Sequence, residues 1–216
     1  MTNPSQAAQA DDQEAITASH RAAGVRRNEQ IYRSGAYSLL ARLLRSPPDN
    51  QVMAQVSGFA KVEPVQDEMA IAMSMLGLSA STSDPKAVDD EFHALFIGIG
   101  RGELVPYGSW YLTGFLMERP LGRLRDDLAG LGFQRQEGVT EPEDHVAALC
   151  EVMAILIEEE SSVQVQSDFF DRHLADWMER FFTDLSDAGS AVFYRAVGRF
   201  GAAFISLEKR YLSMPV

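Results

Sequence analysis

Apolar residues recur at every third or fourth position along almost the whole chain, and this spacing commits it to helices. Residues 28–45 place Ile31, Tyr32, Leu39, Leu40, Leu43 and Leu44 on one stripe, which Pro47 and Pro48 stop. A short helix over 50–59 follows, then one over about 64–77 with Met69, Met73 and Leu76 inward and Gly77 at its end. Ser83-Asp84-Pro85 reads as a capped helix start, because proline in the first turn loses no needed N–H. That helix carries Val88, Phe92, Leu95 and Phe96. A helix from Pro120 carries Leu121, Leu124, Leu128 and Leu131 and ends at Gly130 and Gly132. Thr140 is the expected cap of the next, which buries Val146, Leu149, Cys150, Met153, Leu156 and Ile157. One long aromatic helix is expected through Phe170, Leu174, Trp177, Phe181 and Leu185, and a last one through Phe193, Val197, Phe200, Phe204, Leu207 and Tyr211. Only SVQVQ at 162–166 alternates like a strand, and it is isolated. The expected fold is all-α, a single helical bundle of about eight to nine helices.

The rhythm breaks at 98–108, GIGRGELVPYG, where four glycines and a proline dictate a loop, and helix resumes at Ser109 through Tyr111 and Phe115. Residues 1–24 are rich in Ala, Gln, Ser and Asp and read as a mobile tail before a folded domain at 25–216. They lack the basic start and apolar run of a secretory leader, and no stretch reaches the roughly 18 apolar residues of a membrane helix. The expected location is therefore cytoplasmic, without stable membrane insertion.

Charge narrows the partners. Thirty-one acidic residues oppose 19 basic ones, a formal net charge of −12. A nucleic-acid binder needs clustered cations to neutralise phosphates, so no nucleic-acid partner is expected, and basic peptides are favoured. The lone Cys150 excludes an internal disulfide and multi-cysteine metal sites, and on an apolar face it reads as a small buried hydrophobe. Gly98-Ile99-Gly100-Arg101-Gly102 follows a helix and has no phosphate-meeting lysine. The four histidines show no paired ligand spacing, and no catalytic residue or metal site is assigned.

Two constellations stand out. Pro106-Tyr107-Gly108-Ser109-Trp110-Tyr111 gathers three aromatic rings and a hydroxyl at a loop-to-helix junction, which suits peptide binding. Glu141-Pro142-Glu143-Asp144-His145 sets three carboxylates and an imidazole at an expected helix start. The segment is either a capping cluster that complements the helix dipole or an acidic site that accepts the guanidinium fork of arginine. Two further readings stand beside arginine capture. One is a GTP- or metal-dependent hydrolase built on Glu141, Asp144 and His145. The other is an adaptor docking through the aromatic stripes at 169–185 and 193–211.

Taken in order, four blocks resemble the TorD/DmsD/NarJ family of cytoplasmic molybdoenzyme chaperones. They are Glu91-Phe92 with Leu95-Phe96 and Gly98; Pro106-Tyr107-x-Ser109-x-Tyr111; Glu141-Pro142-x-Asp144-His145 with Glu151 and Met153; and Phe170-x-x-His173-Leu174-x-x-Trp177-x-x-x-Phe181. The resemblance covers roughly residues 30–210. It implies an all-helical protein that binds the twin-arginine signal peptide and apo form of a molybdenum-cofactor oxidoreductase and assists cofactor insertion before export. It carries peptide-binding roles onto Leu95, Phe96, Pro106, Tyr107, Ser109, Tyr111, Asp144 and His145, with Glu141 beside Asp144. It implies no resident cofactor, and weak guanine-nucleotide binding for some members rests on the resemblance alone. It also implies a monomer or a domain-swapped dimer, with 134–140 as the candidate hinge.

Overall fold

The computed structural model describes residues 4–61, 67–98, 101–136 and 138–214, with side chains from residue 24 onward. Residues 64–66 of the expected third helix, Ile99 and Gly100 of the glycine-rich loop, and Glu137 of the candidate hinge lie outside the described residues. Ten α-helices, nine of them of seven residues or more, make up the described fold, and it contains no sheet. No described helix is long and apolar enough to cross a membrane.

The first helix, α1, spans Pro4–Arg45, so its backbone runs through residue 24 with no boundary there. Its buried face differs from the expected stripe. Tyr37, Leu40 and Leu44 are inside, but Ile31 and Tyr32 are exposed, Tyr32 at 76%. Arg33 takes the inward register instead, because it has a buried partner waiting on the last helix. The following helices are α2 (Asn50–Ser57), a 3-10 turn at Gly58–Lys61, and α3 (Glu68–Thr82). Asp49 caps α2, accepting the Val52 N–H at 2.8 Å. Helix α3 does not close at Gly77. That glycine is buried mid-helix, where a Cβ would collide with the Phe59–Ala60 backbone, so the missing side chain lets two elements touch.

Helix α4 (Pro85–Phe92) starts as expected, with Asp84 accepting the Ala87 N–H at 3.2 Å and proline in the first turn. A π-helical turn, His93–Ile97, continues it. Next come α5 (Gly108–Thr113), α6 (Arg119–Gly130) and α7 (Val146–Glu158). The expected aromatic helix is two: α8 (Val163–His173), which absorbs the isolated SVQVQ run, and α9 (Met178–Asp187). The chain turns at 174–177, yet Phe170, Leu174, Trp177, Phe181 and Leu185 are all buried, since the turn keeps them facing one core. The stripes at 169–185 and 193–211 therefore offer no docking face: Phe169, Phe193, Phe200 and Phe204 are also inside.

Helix α10 (Phe193–Leu212) packs against α9 and α3, and α7 lies along α1. The start of α10 needs acceptors for its orphan N–H groups. Glu91 supplies them from a hundred residues upstream, accepting from Val192 (2.8 Å), Phe193 (3.0 Å) and Tyr194 (2.7 Å). A buried ion pair joins α1 to α10. Arg33 meets Glu208 with two parallel bonds at 2.6 and 2.9 Å, and its Nη1 donates to Gln30 and Gln166 at 2.8 Å each.

Candidate functional site

The site forms where the segment before α5 meets the segment before α7. Tyr107 and His145 make one isolated antiparallel bridge. The Gly108 N–H donates to the Asp144 carbonyl, and the Val146 N–H donates to the Pro106 carbonyl, both at 2.9 Å. Gly108 faces the Trp177 indole, where a Cβ would crowd the ring at 3.2 Å. The two blocks that stand out in the sequence are thus clipped together backbone to backbone.

The E-P-E-D-H segment is not the first turn of a helix. Thr140 caps nothing, and α7 begins only at Val146, with His145 as its cap: Nδ1 accepts the Ala147 N–H at 3.1 Å. Glu141 and His145 therefore share no helical face, and the three carboxylates stand free of a helix end. Proline at 142 explains the shift, since it biases residue 141 away from helical backbone angles.

Released from the helix, the segment divides two clefts. The first, about 480 Å³, is bordered by Ser109, Leu112, Arg123, Asp126, Asp127, Asp144, Arg172, His173 and Asp176. The second, about 590 Å³, is bordered by Arg45, Arg125, Arg135, Glu141, Glu143, His145 and Glu151 over an apolar floor that includes Leu128, Phe133, Val152 and Ile155. Asp144 borders one and Glu141 and His145 the other, so the three groups of the hydrolase reading do not converge on a common cavity. Among the described residues no cluster of His, Cys, Asp and Glu could hold a metal ion.

The clefts differ in how their charges are used. In the second, Glu143 bridges Arg125 (2.9 Å) and Arg135 (3.1 Å), and Arg45 pairs with Glu151. Arg135 also donates to the Glu141 carbonyl at 3.0 Å, and Tyr107 donates its hydroxyl to the Glu141 carboxylate. Glu143, Glu151 and the three arginines are thus paired within the cleft, while the Glu141 carboxylate meets a hydroxyl and no cation among the described residues. In the first, Asp127 is taken by Arg172 at 2.9 Å and His173 at 2.7 Å. Asp126 and Asp176 make no ion pair among the described residues. Asp144 is only 3% exposed. Its Oδ2 accepts the Ser109 N–H at 2.7 Å, while its Oδ1 is buried with no donor.

Burial and the nearby Arg45 guanidinium pull the His145 imidazole from its ordinary 6.5 down to about 4, so it is neutral at pH 7. Its ring meets Tyr107 edge-on at 5.1 Å. Burial also draws His173 down, against the pull of Asp127, and pushes the Cys150 thiol up, which leaves that thiol inert as a nucleophile.

The other candidate residues lie apart from the clefts. Leu95 is fully buried, and Phe96 packs on Phe92 (5.0 Å) and Tyr194 (5.6 Å). Tyr111 donates to Asp184 at 2.9 Å, lies against Trp177 and Phe181, and carries Arg180 over its ring at 4.8 Å. Sequence reasoning missed Asp126 and Asp176. Asp176 stands three residues after His173, a helix-like spacing, but no sequence signal ties α6 to this wall.

A helical core sets Asp144, largely buried and with one oxygen unpaired, at the wall of an acidic cleft. The nitrate reductase delta subunit family matches residues 62–183, more than half of the chain, and the chain belongs to that family. It is similar to the chaperone protein TorD of Vibrio cholerae serotype O1, 28% identical over 174 residues, 75% of this chain and 79% of that one. It is also similar to the chaperone protein TorD of Actinobacillus pleuropneumoniae serotype 7, at 26% over 181 residues, 80% of this chain and 89% of that one. A crystal structure described as a redox enzyme maturation protein from Archaeoglobus fulgidus shares the fold, with a TM-score of 0.55 at 18% identity over 81% of this chain and 93% of that one. This is the class to which the four sequence blocks pointed: an all-helical chaperone of molybdoenzyme maturation.

Proposed function

We propose that the chain binds the twin-arginine signal peptide of an apo molybdoenzyme in the cytoplasm and holds that enzyme while its cofactor is inserted, without altering a bond itself. The observation that carries this reading is the unpaired oxygen of Asp144 beside a cleft whose other free charges, Asp126 and Asp176 against Arg123, are mostly acidic. A buried acceptor without a donor costs about 1–3 kcal/mol. A guanidinium recovers that cost, because its planar fork supplies several donors and the missing charge. The net charge of −12 speeds encounter with a basic leader, and apolar contacts slow its release. Glu143 is held by two arginines of the chain itself, so Asp144 rather than Glu143 takes the leader's charge.

Calorimetric titration of a synthetic twin-arginine leader into the protein and into Asp144→Asn tests this. The variant keeps an acceptor for the Ser109 N–H and loses the charge, and about tenfold or more of the affinity should go with it. Equal affinity in a folded variant rejects the role of Asp144. No leader binding by the unaltered protein, together with steady turnover of GTP, rejects the reading as a whole.

A further inference from the structure

The segment between α5 and α6 carries a feature that arginine capture does not use. Leu112, Phe115, Leu116 and Met117 all face water, Phe115 at 68% and Met117 at 71% exposure. No charged residue occurs from Gly108 to Met117. Grouped exposed apolar side chains of this kind mark an interaction surface, whereas scattered ones do not.

The loop is also held in shape. Gly114 ends α5 in the left-handed region, its N–H donating to the Trp110 carbonyl at 2.8 Å. Thr113 donates to the Ser109 carbonyl at 2.8 Å and accepts the Phe115 N–H at 3.2 Å. Met117 adopts φ of 59°, a left-handed conformation that a methionine rarely takes, and its N–H donates to Ser109 Oγ at 3.2 Å. Ser109 is the residue whose own N–H is held by Asp144. One buried serine thus fixes both the unpaired carboxylate and the tip that presents the apolar side chains. A backbone held in a strained, pre-set form, with its apolar groups turned outward, suits binding, since little order remains to be imposed.

We infer that the 112–117 loop is the docking surface for the apolar stretch that follows the arginines of the leader. The inference rests on the leader-binding reading above and adds to it a place and a direction. Leu112 and Thr113 border the acidic cleft, so the loop is its continuation. A charge-free rim beside an acidic cleft complements a ligand that is basic and then apolar along its length. Arginine enters at Asp144 and the apolar part crosses toward Phe115 and Met117.

Two synthetic peptides test this by calorimetry. One carries two adjacent arginines and a leucine- and alanine-rich stretch; in the other, serine replaces that stretch. The protein variant is Phe115→Ser with Leu116→Ser, both surface positions, with folding checked by thermal unfolding. The variant should bind the first peptide about tenfold or more weakly than the unaltered protein, and the second peptide equally. Equal binding of the first peptide overturns the loop's role and leaves arginine capture standing. Failure of the unaltered protein to bind the first peptide overturns both. Light scattering separates the other occupant: a dimer that the variant dissolves, with leader affinity unchanged, assigns the loop to a second copy of this chain and overturns the inference.

Discussion

Glu208 and Asp144 are both carboxylates shut away from water, and their surroundings are opposite. Both oxygens of Glu208 are taken by the fork of Arg33, whose Nη1 reaches Gln30 and Gln166. Each polar side-chain atom of Arg33 and Glu208 has a partner, although the buried Tyr37 hydroxyl nearby has none, and the cluster ties α1, α8 and α10 together. Asp144 has one partner, a backbone N–H, and one oxygen with none. On the proposed reading, the open valence of Asp144 at a cleft wall is filled by the leader's guanidinium, while the closed one of Glu208 serves the fold alone.

The contrast breaks most sharply at Glu208. Glu208→Gln removes the charge that compensates a buried guanidinium, and an uncompensated buried charge costs about 3–5 kcal/mol. Urea unfolding should record that loss, while the folded fraction binds the leader as before. If the leader's affinity fell with stability intact, the division between a structural and a functional carboxylate would be wrong.

Acid should come next. The folded imidazole of His145 titrates at about 4, against 6.5 when ordinary. Between those values the unfolded chain takes a proton that the folded chain refuses, so stability is full above 6.5 and falls as pH drops toward 4. The loss from this group is about 2–3 kcal/mol by roughly pH 4.5, and His173, also drawn down by burial, adds to it in the same direction. Asn is a good helix cap. His145→Asn should therefore keep α7 and flatten the pH dependence of urea unfolding; an unchanged slope would deny that His145 is neutral in the folded protein.

The sequence made these two acids hard to rank. Asp144 was legible as a candidate because it stands in an unusual acidic run. That run suggested a helix start, and only the fold reveals that Pro142 delays the helix to Val146 and turns neighbouring carboxylates toward different clefts. Glu208 was invisible, since a lone glutamate in α10 reads as surface until Arg33 is brought to it from 175 residues away. The same long-range pairing displaced Ile31 and Tyr32 from the core. Periodicity located the helices because each must bury a stripe. It could not see the break at 174–177, where the turn preserves the inward spacing of the rings. Leu95 and Phe96 stand out in sequence as part of a motif, and in the structure they pack behind the Glu91-capped start of α10.

The smallest effect sharpens the contrast at its edge. Tyr107 donates to Glu141 at the rim of the second cleft, and its ring packs edge-on against His145. Tyr107→Phe removes the hydroxyl and leaves the ring. Because the lost bond is exposed and water can replace it, stability should fall by no more than about 0.5–1 kcal/mol. Glu141 keeps its backbone tie to Arg135, so the wall between the clefts stays in place. If Asp144 receives the leader's arginine, Tyr107→Phe should leave calorimetric affinity within about twofold of the unaltered protein while Asp144→Asn does not. The reverse ranking would move arginine recognition across the wall, to Glu141 and the second cleft, and Asp144 would then be an unpaired acid with no ligand to explain it.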